Sequence, residues 1–170
     1  MKKIILLIAL IVAPIVTSAQ SFFDSLEDMN GVDMIVVNKD MFELLSKFSP
    51  EKTKDNEAMR IFTMIKELKS LKVFSTDNNA IADKMEIMSN TAIKKHNLIE
   101  LMRIKEDESR VKIYVKSTKN KEFVSEVLMF IKGIDKQTKG ISKSIIVSLT
   151  GNIDINKMSD LADTFTKRNK

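Results

Sequence analysis

The sequence predicts an α+β fold: a mainly antiparallel sheet with helices packed on one face. Three observations lead there. Helical and extended patterns alternate up to about Asn97, and beyond it extended segments follow one another with little helical patterning between them. In that second half Val111, Ile113 and Val115 alternate with Lys112, Tyr114 and Lys116, the period of a strand with one buried and one wetted face. The resulting order, β-α-α-β-α-β-β-β-β-α, builds the sheet chiefly from its last four strands, because strands joined by short connections pair antiparallel.

Ser21 to Asn30 places Phe22, Phe23, Leu26 and Met29 at helical spacing for one or two turns before Asn30-Gly31 breaks the pattern. Val32 to Val37 is rich in β-branched residues and reads as a strand. Asn38 is placed to cap the helix that follows, in which Met41, Leu44, Leu45 and Phe48 fall on one face before Ser49-Pro50. A second helix is predicted from about Asp55 to Lys69, on the stripe Ala58, Ile61, Phe62, Ile65 and Leu68. Leu71 to Thr76 then reads as a short strand. Asp77-Asn78-Asn79 is turn and cap chemistry, after which Ile81, Met85, Met88 and Ala92 keep the helical period as far as His96.

Leu98 to Lys105 is the next strand, Glu106-Asp107-Glu108-Ser109 a connection, and Arg110 to Ser117 the alternating strand. Thr118-Lys119-Asn120-Lys121 suits a hairpin. Glu122 to Lys132 reads as a strand, although Phe123, Val127, Phe130, Ile131 and Ile134 also fit a helix. Gly133 to Gly140 is a polar loop, Ile141 to Thr150 a strand and Gly151-Asn152 a turn. A final amphipathic helix from about Asp154 to Phe165 aligns Met158, Leu161, Ala162 and Phe165.

The first nineteen residues have the composition of a secretory signal peptide. Lys2 and Lys3 give a positive start, Ile4 to Val16 an apolar run broken only by Pro14, and Thr17-Ser18-Ala19 a small-residue site for cleavage before Gln20. The run is shorter than the roughly 20 residues a spanning helix needs, so no transmembrane helix is expected in the mature chain. The expectation is an exported protein, periplasmic or secreted, with residues 20–170 forming a single α+β domain. Cysteine is absent, which leaves neither disulfides nor thiolate chemistry nor a lipid-bearing cysteine after the leader.

Cleavage lowers the formal charge from +5 to +3, a mildly basic and well-mixed surface. No nucleic-acid partner is expected of such a chain. Lys112, Lys116, Lys119, Lys121, Lys132, Lys136, Lys139 and Lys143 could gather into a basic surface able to make weak contact with an anionic membrane; solubilising lysines and guards on sheet edges are the ordinary alternative. Ten methionines remain after Met1, and Met34, Met41, Met59, Met64, Met85, Met88 and Met158 are expected to fill irregular core space.

Chemical motifs are sparse. His96 is the only histidine, so triads and sites needing two imidazoles are excluded, and its place at a helix end beside Lys94 and Lys95 suits packing or favourable contact with terminal carbonyls. Glu106, Asp107 and Glu108 lack the spacing of a calcium loop and read as a solvated turn. Asp154 reads as a helix cap. No G-x-S-x-G, phosphate-loop, H-E-x-x-H or G-x-G-x-x-G pattern occurs, and no catalytic, cofactor-binding or metal-ligating residue is assigned.

The segments SFFDSLEDMNGVDMIVVNKDMFELL, LIELMRIKEDESRVKIYVK and IIVSLTGNIDINKMSDLADTF resemble an exported bacterial family, domain of unknown function 4252, over nearly the whole mature chain. The terminal S-L-x-G-x-[IL]-D pattern appears as Ser148-Leu149-Thr150-Gly151-Asn152-Ile153-Asp154. That resemblance implies a small envelope protein and carries over no catalytic residues. The reading is thus a noncatalytic binding or interaction module of the cell envelope, its partner an envelope protein or a small ligand. Three other classes have distinct signatures: a small-ligand carrier with an enclosed apolar cavity, a carboxylate-based hydrolase with two facing acids, and assembly through an exposed strand edge.

Overall fold

A computed structural model describes residues 22–47, 67–133 and 143–156. Within them the elements are α1 (Asp24–Glu27), β1 (Asp33–Asn38), α2 (Lys39–Lys47), β2 (Leu68–Thr76), α3 (Asn79–His96), β3 (Ile99–Glu106), β4 (Ser109–Ser117), β5 (Phe123–Lys132) and β6 (Ser144–Asp154). The strands form one six-stranded sheet in the order β1-β2-β6-β5-β4-β3, and every neighbouring pair is antiparallel. Glu122 to Lys132, which had fitted either period, is a strand.

The sheet departs from sequence order at one place. β3, β4, β5 and β6 lie side by side in sequence order, whereas β2 pairs with β6 and brings β1 with it. Helix α3 carries the chain from β2, inside the sheet, to β3 at its far edge. Its ends are well signalled. The Asn78 side chain accepts hydrogen bonds from the Ala80 and Ile81 amides at 2.9 and 3.2 Å, and Asn97 closes the helix in the left-handed conformation, φ 54°. Asn38 caps α2 in the same way, accepting from the Met41 amide at 3.0 Å.

Register and alternation divide the side chains between two faces. One face supplies Phe74, Ile146, Leu128 and Phe130, which pack with Phe23 and Leu26 from around α1 and with Met85 and Ala92 from α3. The other supplies Val37, Leu71, Leu149, Val127 and Val115, joined by Phe42 of α2. The helices therefore contribute to both faces: α1 and α3 to the first, α2 to the second.

Three of the charged residues on the first face each hold a helix. Lys72 of β2 donates to Asp24 and Glu27 of α1, both at 2.7 Å. Lys132 of β5 donates to Asp83 and Glu86 of α3, at 2.9 and 2.7 Å. Glu126 of β5 meets Nδ1 of His96, the last residue of α3, at 2.8 and 2.9 Å. Burial opposes the charge on Lys72, but its hydrogen bonds to Asp24 and Glu27 outweigh it and raise the ammonium pKa. The hydrogen bonds to Glu86 and Asp83 raise that of Lys132.

Several expectations change. Leu68 and Lys69, assigned to the end of a helix, begin β2, because Leu68 packs beneath Phe42 and pairs with Gly151. The rest of that helix, the loop after Gly133 and the final helix beyond Asn156 lie outside the described residues. Gly151-Asn152 is no turn: both residues lie inside β6, beside a bulge in which the β2 partner shifts between Leu68 and Ser70. Gly151 is required there, since its φ is 150° and a Cβ would run into the Glu67 carbonyl oxygen. Met34 and Met41 are exposed rather than in the core, on an edge strand and on the outer side of α2, while Met85 is fully buried and Met88 packs against the core.

Candidate interaction surface

The two edges of the sheet are β1 and β3, and neither is covered by a further strand among the described residues. All eight residues of β3 are exposed. They include four large apolar side chains, with Ile99 56%, Leu101 51%, Met102 48% and Ile104 47% accessible. A long edge with unpaired backbone groups and apolar side chains is a template for pairing with another chain. β1 is shorter, with Met34, Ile35 and Val36 exposed and Val37 packed toward Phe42.

A bulge sets the geometry of β3. Glu100 pairs with Tyr114 of β4 and Met102 with Ile113, so Leu101 is an extra residue. Glu100 and Arg103, three apart, consequently share one face of the sheet; Ile99, Met102 and Ile104 share the other. Arg103 donates to Glu100 Oε2 at 2.6 Å, and the Tyr114 hydroxyl donates to the same oxygen at 3.1 Å. The Arg103 hydrogen bond holds the Glu100 carboxyl below its usual range, and burial together with Glu100 raises the Tyr114 phenol.

The apolar side of β3 continues a row running across the sheet. Ile35, Val73, Val147, Met129, Ile113 and Met102 lie in register from β1 to β3. The edge and this row thus form one surface: backbone hydrogen-bonding groups along the rim, aliphatic side chains beside it. It is the pattern used in strand addition, where main-chain bonds supply affinity and alternate side chains supply specificity.

The lysines divided into two groups. Lys116, Lys119 and Lys121 lie around the β4–β5 hairpin, whereas Lys132 and Lys143 lie at the opposite end of β5, about 30 Å away at strand rise. Lys112 sits between them, and Lys136 and Lys139 are outside the described residues. A cleft of about 500 Å³ is lined by Asn79, Ala82, Asp83, Lys132, Gly133 and Lys143. Its Lys132 is already paired with Asp83 and Glu86.

His96 is a packing residue in this structure: beyond Glu126, its ring meets Phe22 edge-on at 5.4 Å. Asp107 turns the β3–β4 connection with φ 50°, and Glu106 pairs with Ser109 across it. Asp154 accepts a hydrogen bond from the Asn156 amide at 2.9 Å. Among the described residues no helix is long and apolar enough to cross a membrane. The residues that form the open edge went unassigned in the sequence. Their signal was present as four large apolar residues within IELMRIKE, but edge position depends on which strands pair.

The fold and its surface define a sheet-dominated α+β domain whose most distinctive outward feature is an exposed edge strand with four large apolar side chains. The chain belongs to the family described as Domain of unknown function (DUF4252), whose model matches residues 24–161 and so takes in the whole described sheet. Neither the curated proteins nor the solved structures yield a match to it.

Proposed function

We propose that this is an exported protein of the cell envelope, released by cleavage between Ala19 and Gln20, that acts as a noncatalytic interaction module through the open edge of β3. The observation that carries the reading is the exposure of all eight β3 residues, four of them large and apolar. A soluble domain ordinarily protects such an edge by shortening it, bulging it or covering it. Here β3 runs for eight exposed residues, and its bulge sets Ile99, Met102 and Ile104 on the side of the apolar row. The carrier reading draws less support, since the space between the sheet and α3 is filled by Phe74, Met85, Ala92, Leu128 and Ile146, each exposed by 1% or less.

The test compares the native chain with Ile104→Lys, which places a charge on the rim where sheets commonly carry one. Ile104 is exposed, so folding stability should change by no more than about 0.5 kcal/mol. Both forms are isolated from the envelope with their bound molecules and sequenced from the N-terminus. The reading expects a chain beginning at Gln20 and an envelope protein held by the native form and lost from the variant. Equal capture by both forms, or a chain beginning at Met1, would overturn it.

A further inference from the structure

We propose that the β3 edge pairs antiparallel with the β3 edge of a second copy of this chain, joining two six-stranded sheets into one of twelve about a two-fold axis between Leu101 and Met102. This rests on the reading of that edge as the interaction surface. The bulge selects the register. Residues facing each other across an antiparallel seam lie on the same face of the sheet. Residues 99, 102 and 104 lie on one face and 100, 103 and 105 on the other, with Leu101 standing as the extra residue beside Met102 opposite Ile113.

One register alone spans the strand and satisfies that condition. It sets Ile99 against Ile104 of the partner subunit, Glu100 against Arg103 of the partner subunit, and Leu101 against Met102 of the partner subunit. Shifting by one or two residues in either direction sets a residue of one face against a residue of the other near the bulge. Pairing confined to residues 102–106 sets Arg103 against Lys105. The register permitted by the backbone is therefore the one that brings opposite charges together, twice, with aliphatic side chains meeting on the other face. β1 offers no such match: without a bulge its same-face self-pairing sets Asp33 against Val37 or Met34 against Asn38, and no register of it brings opposite charges together.

The experiment is sedimentation velocity over a concentration series, on protein processed by the cell. The native chain is expected to dimerise. Glu100→Arg and Arg103→Glu each place like charges across both symmetric contacts, and each is expected to weaken self-association about tenfold or more. Mixed in equal amounts, the two variants again present opposite charges across the seam, and the dimer returns. The Glu100–Arg103 pair within each chain remains broken in the mixture, so recovery reports the contact between chains.

Because the chain lacks cysteine, a second measurement avoids the charges altogether: Leu101→Cys mixed with Met102→Cys is expected to cross-link on oxidation more than either variant alone. A native chain that is monomeric throughout, single variants that dimerise as the native chain does, or a mixture that stays monomeric would each overturn self-pairing. If the native chain is monomeric while Ile104→Lys still loses an envelope protein, self-pairing falls and the interaction reading stands. If neither measurement responds to the edge, both fall.

Discussion

Ser89 lies on the inner side of α3 with its hydroxyl buried and without a hydrogen-bond partner. A buried hydroxyl left unpaired costs more than an apolar group of similar size, and alanine is the better helix former. Ser89→Ala is therefore expected to raise unfolding free energy by roughly 1 kcal/mol, read from denaturant midpoints; an unchanged or lowered midpoint would show that the hydroxyl is satisfied. Gly151→Ala tests the opposite case, because its Cβ would meet backbone atoms of Glu67 and Leu68 that the β2–β6 pairing holds in place. A loss of about 2 kcal/mol or more is expected, with the β6 bulge the place where amide exchange accelerates. This glycine also shows where local reading fails. Gly-Asn is a turn signal and a bulge signal alike, and only the pairing of Leu68 with Gly151 distinguishes them. Burial follows the same rule: Met34 on an edge strand and Met41 on the outer side of α2 carry the sequence signature of core residues but are exposed.

Helix α3 depends on Asn78, whose side chain serves two of the amides left open at the helix start. Asn78→Ala is expected to cost about 1 kcal/mol and Asn78→Ser much less, with thermal unfolding as the measurement; equal losses would assign the effect to something other than capping. Elements of this kind were legible in the chain. The cap Asn78, the alternation of β4 and the turns at Asn30-Gly31 and Thr118 to Lys121 all act through neighbours within a few residues. Leu68 and Lys69 belong to a strand although Leu68 continues a helical apolar stripe, because the strand that claims it, β6, lies about eighty residues away. The exposure of β3 was hidden for the same reason. Its composition is that of a strand, but whether a strand is central or marginal is decided by partners elsewhere.

Across the molecule, Lys72, Lys132 and Glu126 attach helices to the sheet face that α1 and α3 cover, and two of these attachments depend on a protonated amine. Both lysines have pKa values raised on folding, and the Tyr114 phenol is raised as well. Groups of this kind contribute stability that is fully present below their unfolded pKa and is lost as pH rises through the folded value. Thermal midpoints are expected to be level from neutral pH to about pH 9 and to fall above about pH 10, where unperturbed lysine and tyrosine titrate. The double variant Lys72→Met, Lys132→Met should begin lower and fall less steeply; the same slope in both would assign the alkaline loss to other groups.

The position of β6 bears on the order in which the fold can be completed. Among the described residues it is the last strand in the chain, yet it joins the β1–β2 pair on one side to the β3–β4–β5 meander on the other. Until residues 144–154 are available, the first half of the chain has no neighbour for the inner rim of β2, and the most distant pairing waits longest. β6 is thus the keystone of the sheet: removing its pairing would leave two separate halves, each with a newly bared rim.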